Sequence, residues 1–573
     1  MLTGIILSLM LIFGCSEDGT GPGDIDDGDN GDDPPAASAT ANAGIDSDEV
    51  VGFEVVADGS GSSGSSSVSY SWSISNHPAN STATLTDANT ANPMFIPDLP
   101  GEYELQLEVT SDGESDTDAV VFSAIAKRLF VDANNGADDE TDGYLENKPM
   151  KTITKALSVY GQNESNAFLE IDTVHVTEGV YDQANGESYP LSFSGDLIVK
   201  GDQGVERNNI HILSPDVERD PAIYIGEGVT LRHLKIENGY TGGTFNGDPD
   251  AIFVTSGTDV ETSRVILEDV TITMNAEEGK GISTGNNLTV ELRGYEGARN
   301  QFDGNNVSLA YTNRFNTGNV TLNISDTDFS NPGDGGVIDI DDIYNLTINV
   351  SNSSFNAGSG NINDSAFELK DKVDLMLDEV TITSQSGSET GERFKYGIVM
   401  NNAQPETNIE VKNSTIQFTQ WSAIKMRESV VKVTDSIIEG VLTQQPSVNL
   451  AYDAIQQLDG TLVVRGTTFR DLNTSAIDIG GPISPNENEF YVDLGTLEDP
   501  GNNTFQNVGG WDVQVSRGDY LGDNDGVKTE IPALGNTWSN QAIPRCATNY
   551  ENGEIYVDPD GGSLRYSNTG VCN

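Results

Sequence analysis

Histidine, cysteine, positive charge and helical periodicity are all scarce in this chain, and each shortage removes a class of answer. Among 573 residues there are 4 His and 3 Cys. His77, His175, His211 and His233 are scattered, so no metal-spaced Cys/His cluster forms, and neither a Ser-His-Asp grouping nor a phosphate-binding glycine loop can be assembled. Only 29 Lys and Arg stand against 90 Asp and Glu, a net charge of −61. A body that acidic repels nucleic-acid phosphates and reads as a solvated extracellular surface, expected to be monomeric and to bind no nucleic acid. The apolar run at residues 1–14 is too short to cross a bilayer.

What the chain has in abundance is one pattern, repeated. VIDIDDIYNLTINVSNSSFNA (Val337 to Ala357) reads as a short alternating strand, a turn, a longer alternating strand and a close on Phe355. Copies of that order begin at Ala222, Ala251, Ala366, Gly397, Ala423, Ala454 and Ala476, with weaker ones at Gly281 and near Leu309. Starts lie between 22 residues (Ala454 to Ala476) and 31 residues (Ala366 to Gly397) apart, a period that marks a repeat architecture. No copy holds an amphipathic helix, which excludes ankyrin, leucine-rich and tetratricopeptide arrays. Units of two or three short strands bury their apolar faces only by stacking, so the expected fold is an all-β parallel β-helix of about nine or more coils. Ile223, Ile252, Ile338, Phe367, Ile398, Ile424, Ile455 and Ile477 should form one inward ladder, and Phe329, Phe355, Phe418 and Phe469 another.

Ahead of the repeats, residues 1–15 read as a signal peptide whose Ile12-Phe13-Gly14-Cys15 ending resembles a bacterial lipobox, although Phe13 is bulky and no Lys or Arg precedes the apolar run. That resemblance implies lipidation at Cys15 and attachment to a membrane by lipid alone. Residues 16–37 are an acidic, Gly- and Pro-rich tether. Acidic residues soon after the lipobox resemble a surface-export signal of outer-membrane lipoproteins, implying extracytoplasmic display. Residues 38–125 change to isolated alternating strands. There, Asp58-Gly59-Ser60, Tyr70, Trp72, Pro93, Phe95, Pro97, Gly101 and Tyr103 resemble a polycystic-kidney-disease-type (PKD) immunoglobulin-like domain, which implies a small β-sandwich, display and no chemistry.

Residues 127–573 open with KRLFVDANNG, an acidic loop and PMKTITKAL, and close with NTFQNVGGWDVQV and LGNTWSN. These ends resemble a pectin-lyase-like, right-handed parallel β-helix family of unassigned function. Ile153, Ala156, Leu157 and Tyr160 at helical spacing predict one short helix that caps the open end. Cys546 and Cys572, in the least repetitive stretch, predict a disulfide that staples the other end.

If the Ile ladder points inward, the next residue of each coil points out. That column reads Tyr224, Phe253, Ser283, Asp339, Glu368, Val399, Lys425, Gln456 and Asp478. A second column, two residues on, includes Thr255, Gly285, Asp341, Lys370, Asn401 and Arg427. Rings beside charges at ~5 Å per coil suit an extended polysaccharide. Tyr224, Phe253 and Lys370 are the ligand-binding candidates. Asp339, Asp341, Glu368, Lys425 and Arg427 resemble, in residue type only, the acids and bases of polysaccharide lyases on this fold. Calcium is the one cofactor the reading admits, with Asp339 and Asp341 as its candidate ligands. An ion-pair ladder, Asp341 beside Lys370, explains the same charges without function. Three readings stay open: a non-catalytic surface lipoprotein contacting extracellular polysaccharide or cell-surface glycan, a polysaccharide lyase or glycoside hydrolase, and a stalk or coat protein without a ligand.

Overall fold

The computed structural model describes residues 37–216, 221–240, 250–257, 263–274, 280–304, 307–312, 319–332, 337–341, 345–358, 365–384, 393–403, 407–441, 453–458, 460–480, 492–515, 530–539, 546–547, 555–557, 563–565, 567 and 570–572. Cys15 and most of the acidic tether lie outside them, as do the side chains of Asp341 and Asn401.

The first domain is a small antiparallel sandwich. GEYELQLEVTS (Gly101–Ser111) alternates apolar and polar residues, and its apolar face buries Tyr103, Leu105, Leu107 and Val109 with Trp72 and Phe122. Asp112 and Gly113 turn this strand into the next with φ of 53° and 90°, the paired left-handed conformation that Asp-Gly supplies to a tight hairpin. Tyr103 closes a corner: its hydroxyl donates to the Leu99 carbonyl (3.1 Å) or the Asp98 carboxylate (2.9 Å) and accepts from the Leu99 N–H.

No linker separates this domain from the repeats. The single strand Glu114–Val131 pairs antiparallel with Gly101–Ser111 along its first part and parallel with Leu169–Val176 along its last. The change falls between Ala124 and Ala126, and a register shift follows between Ala126 and Arg128. One sheet of 16 strands therefore runs through both domains, and one hydrophobic core follows it. Arg128 reinforces the junction, its guanidinium 4.5 Å over the Phe53 ring, while Phe130 stacks on His175 at 5.1 Å.

The repeats coil through three long sheets of 12, 14 and 16 strands, and every pairing between successive coils is parallel. Leu191, Ile223, Ile252, Ile282, Leu309, Ile338, Phe367, Ile398, Ile424, Ile455, Ile477, Val513 and Ile555 stack in one buried column of the 14-stranded sheet. In the 12-stranded sheet the inward column runs Ile272, Phe302, Phe329, Phe355, Ile382, Ile416, Ile438, Phe469 and Phe505. Phe418 is not in it: Ile416 holds that rung, and Phe418 sits one residue past the strand Thr415–Gln417 at φ 59°. Trp538 continues the column, stacked on Phe505 at 5.3 Å.

The corner between the 16- and 12-stranded sheets is set in most coils by a left-handed residue: His233, Asp269, Asp326, Asn352, Glu379, Asn413, Asp435, Gly466 and Asn502. Asn, Asp and Gly tolerate that conformation best, which is why Asn, Asp or Gly followed by Ser or Thr, with the inward Phe or Ile two residues further on, recurs there. The Ser or Thr that follows is buried and serves the neighbouring coil. Ser353 accepts from the Thr327 N–H, Ser414 from Val380 and Ser436 from Ser414, at 3.0 to 3.2 Å. A buried hydroxyl would be costly alone; here each satisfies a backbone group that leaves the ladder at the corner.

The amino-terminal end of the coils is covered by the helix. The helix Ile153–Tyr160 buries Ile153, Ala156 and Val159, with Leu157 and Tyr160 half-buried at its margin. Thr152 caps it through the Lys155 N–H (3.0 Å), and the buried Glu187 carboxylate accepts from the N–H groups of Ile153 and Thr154. At the other end Cys546 and Cys572 are joined as a disulfide, their Cα atoms 5.4 Å apart.

Candidate functional site

Strand register places the outward column in the order expected: Tyr224, Phe253, Ser283, Ala310, Asp339, Glu368, Val399, Lys425, Gln456 and Asp478. Its exposure differs from that of an open sheet face. Ser283 and Val399 are each 2 % exposed, and Tyr224, Phe253, Asp339, Glu368, Lys425 and Asp478 are half-buried. Tyr224 and Phe253 meet edge to face, with ring centres 5.8 Å apart.

Asp339 and Glu368 are neighbours across two coils. Val399, apolar and buried, then separates Glu368 from Lys425. The second column breaks at Lys370. The register shifts between Leu369 and Asp371, so Asn401 and Asn402 together stand opposite Lys370. Lys370 lies 3.8 Å from Glu368 on its own strand. Arg427 falls one residue beyond the strand Ile424–Met426 and is exposed. The proposed acids and bases therefore divide into two groups, Asp339 with Glu368 and Lys370, and Lys425 with Arg427.

A set of residues that the column argument passed over stands just ahead of the ladder, in the turn entering each strand. Tyr396, Ser422, Asp453 and Ser475 each lie two residues before a ladder residue, and all four are buried. Trp421 precedes Ser422. Tyr396 and Trp421 meet edge to face at 5.2 Å. The Lys425 ammonium lies 5.4 Å from the Tyr396 ring centre and 3.4 Å from its hydroxyl, and the Lys395 ammonium lies 5.2 Å from the Trp421 ring centre. Burial, then the charge of Arg427, lowers the pKa of Lys425. On the next coil Asp453 is 2 % exposed and accepts from the Ser475 N–H at 3.0 Å. Burial, then the charge of Asp478, pushes its carboxyl up to about 7, against the hydrogen bonds from Ser475.

Among the described residues no three His, Cys, Asp or Glu side chains are grouped to hold a metal ion. Of the two calcium candidates only the Asp339 side chain is described, half-buried beside Glu368. The histidines take structural posts: His233 sits between Asp269 and the Val205 carbonyl, and His211 lies 3.1 Å from Glu237.

Comparison with known proteins follows the same division of the chain. Residues 45–122 match the model of a PKD domain family. Residues 134–339 match a family described as a protein of unknown function, DUF1565. The solution structure of the PKD domain from KIAA 1837 protein is 24% identical, covers 15% of this chain and 86% of that chain, and superposes with a TM-score of 0.14. No curated protein matches. A PKD domain at 45–122 is thus followed by a DUF1565 region whose parallel strands stack as in a β-helix, and the same stacking runs on past residue 339.

Proposed function

We propose that this protein is a lipid-anchored extracytoplasmic β-helix that contacts extracellular polysaccharide without transforming it. The observation that carries the reading is the pair Tyr224 and Phe253, two rings in register on consecutive coils of the face turned away from the core. Aromatic faces pack against the C–H surfaces of sugars, and half-burial fixes their orientation before a ligand arrives. One coil per ~4.8 Å gives the face the repeat an extended chain can follow. The PKD domain and the acidic tether support display away from a membrane, with Cys15 as the lipid attachment.

A second reading, lyase or hydrolase activity on the same face, is favoured by one observation: Lys425, its pKa lowered, lies within 3.4 Å of the Tyr396 hydroxyl. A single screen separates the two. The purified protein is tested against immobilised polysaccharides for retention, and in solution for new reducing or unsaturated ends, with and without calcium. Retention without new ends is expected, and Tyr224→Ala with Phe253→Ala should abolish it while the melting temperature holds. Retention unchanged in that double variant, with a large fall in melting temperature, makes the rings structural and removes the claim.

A further inference from the structure

Among the described residues most arginines already hold a carboxylate: Arg207 pairs with Asp269, Arg232 with Glu268, Arg299 with Asp328 and Arg465 with Asp493. Lys395 and Lys425 differ. Among the described residues neither has a carboxylate within 4 Å, although acids outnumber bases 90 to 29. Each is held over a ring instead, Lys395 over Trp421 and Lys425 over Tyr396, with the two rings in contact. In its column Lys425 is flanked by Val399 and Gln456, both uncharged. The nearest carboxylates of that column, Glu368 and Asp478, stand two coils away on either side, roughly 10 Å at the coil spacing, which is about one Debye length. Arg427 adds a third positive charge, with Glu428 beside it at the exposed margin.

A ring face attracts an ammonium without neutralising it, so the cation keeps its charge and its remaining N–H donors. Two such cations on a half-buried surface, where charge interactions are stronger than in water, present donors to an incoming anion while the half-buried Trp421 ring offers apolar contact. We propose that Lys395 and Lys425, seated over Trp421 and Tyr396, form a subsite for a sugar unit bearing a carboxylate or sulfate. The proposal rests on the reading of this face as a glycan surface and names the class of glycan it selects.

The test uses the full chain and the fluorescence of Trp421, isolated by subtracting a Trp421→Phe variant. The probes are an oligogalacturonide, a heparin-derived oligosaccharide and a neutral cello-oligosaccharide. One or both acidic probes should bind at least about tenfold tighter than the neutral one, ~1.4 kcal/mol, and weaken with salt. Whichever acidic probe binds tighter identifies the acid group. Lys395→Gln with Lys425→Gln should remove the preference, and Lys395→Arg with Lys425→Arg, which keeps charge and ring contact, should retain it. Equal binding of acidic and neutral probes overturns the proposal and leaves the glycan surface standing. A Trp421 response to an acidic probe, with no polysaccharide retained in the wider screen, does the reverse. No Trp421 response to any probe, or a preference that survives both Gln substitutions, also overturns it.

Discussion

Asp453 should make the stability of the whole solenoid depend on pH in an unusual direction. Its carboxyl is 2 % exposed, and burial with the neighbouring charge of Asp478 moves it from 3.8 to about 7. A rise of about three units, at about 1.36 kcal/mol each, corresponds to ~4 kcal/mol of differential stability. Below about pH 4 the group is protonated in both folded and unfolded chains and contributes no penalty. Between about pH 4 and 7 the unfolded chain ionises while the folded one holds its proton, so stability falls as pH rises; above about 7 the penalty is complete. Asp98 and Asp328 act oppositely. Burial works to raise their pKa values, but hydrogen bonds led by Ser81 and Arg299 outweigh it and lower them, so their contribution is lost as pH falls below the usual carboxylate range. The difference between wild type and Asp453→Asn reports the titration of Asp453 together with its repulsion of Asp478, and Asn keeps an acceptor for the Ser475 N–H. Urea unfolding at pH 4, 6 and 8 should show the variant close to wild type at pH 4 and more stable by a few kcal/mol at pH 8. A difference that stays constant from pH 4 to 8 refutes the reasoning.

Other substitutions test other links. Ile338, 1 % exposed in the ladder, cannot become Asp without burying an unpaired carboxylate, and Ile338→Asp should cost more than about 4 kcal/mol by thermal or urea unfolding. Tyr103→Phe removes the group that joins Asp98 and Leu99, and a loss of about 1–3 kcal/mol is expected. Cys546→Ser should weaken the C-terminal end by about 3 kcal/mol on the loop-entropy account, seen as earlier proteolysis near residues 546–572. Cys15→Ser should move the protein from the membrane to the soluble fraction; a variant that stays with the membrane contradicts lipid anchoring.

The fold is legible because its signal is repeated. A ladder such as Ile223, Ile252 and Ile338 appears once per coil, and any one of these residues would be uninformative alone. Where the pattern is thin it misleads: residue type puts Phe418 in a ladder, although Ile416, two residues earlier, has the correct alternation. The corner residues Asn352, Asn413 and Asp435 are also readable, since each precedes Ser and then, two residues on, an aliphatic or aromatic rung. The candidate site is harder. Counting outward from the ladder gives Tyr224, Phe253 and Lys425 their neighbours, but that count follows strands and stops at their ends. Tyr396, Trp421 and Asp453 sit in the turns before the strands, where coil length varies and alternation no longer says which side a residue faces. Counting two or three residues back from each ladder position aligns Tyr396, Ser422 and Asp453, though it does not give their burial.

The strand Glu114–Val131 has a mechanical consequence. Because it is hydrogen-bonded to Gly101–Ser111 along one stretch and to Leu169–Val176 along the next, the two domains cannot hinge about a joint. A pull applied through the first domain would load the bonds of the strand together, in shear, instead of peeling them one at a time. The first domain then behaves as a rigid handle: any torque it receives passes straight into the axis of the solenoid, and whatever the solenoid touches is held at a fixed angle to that domain.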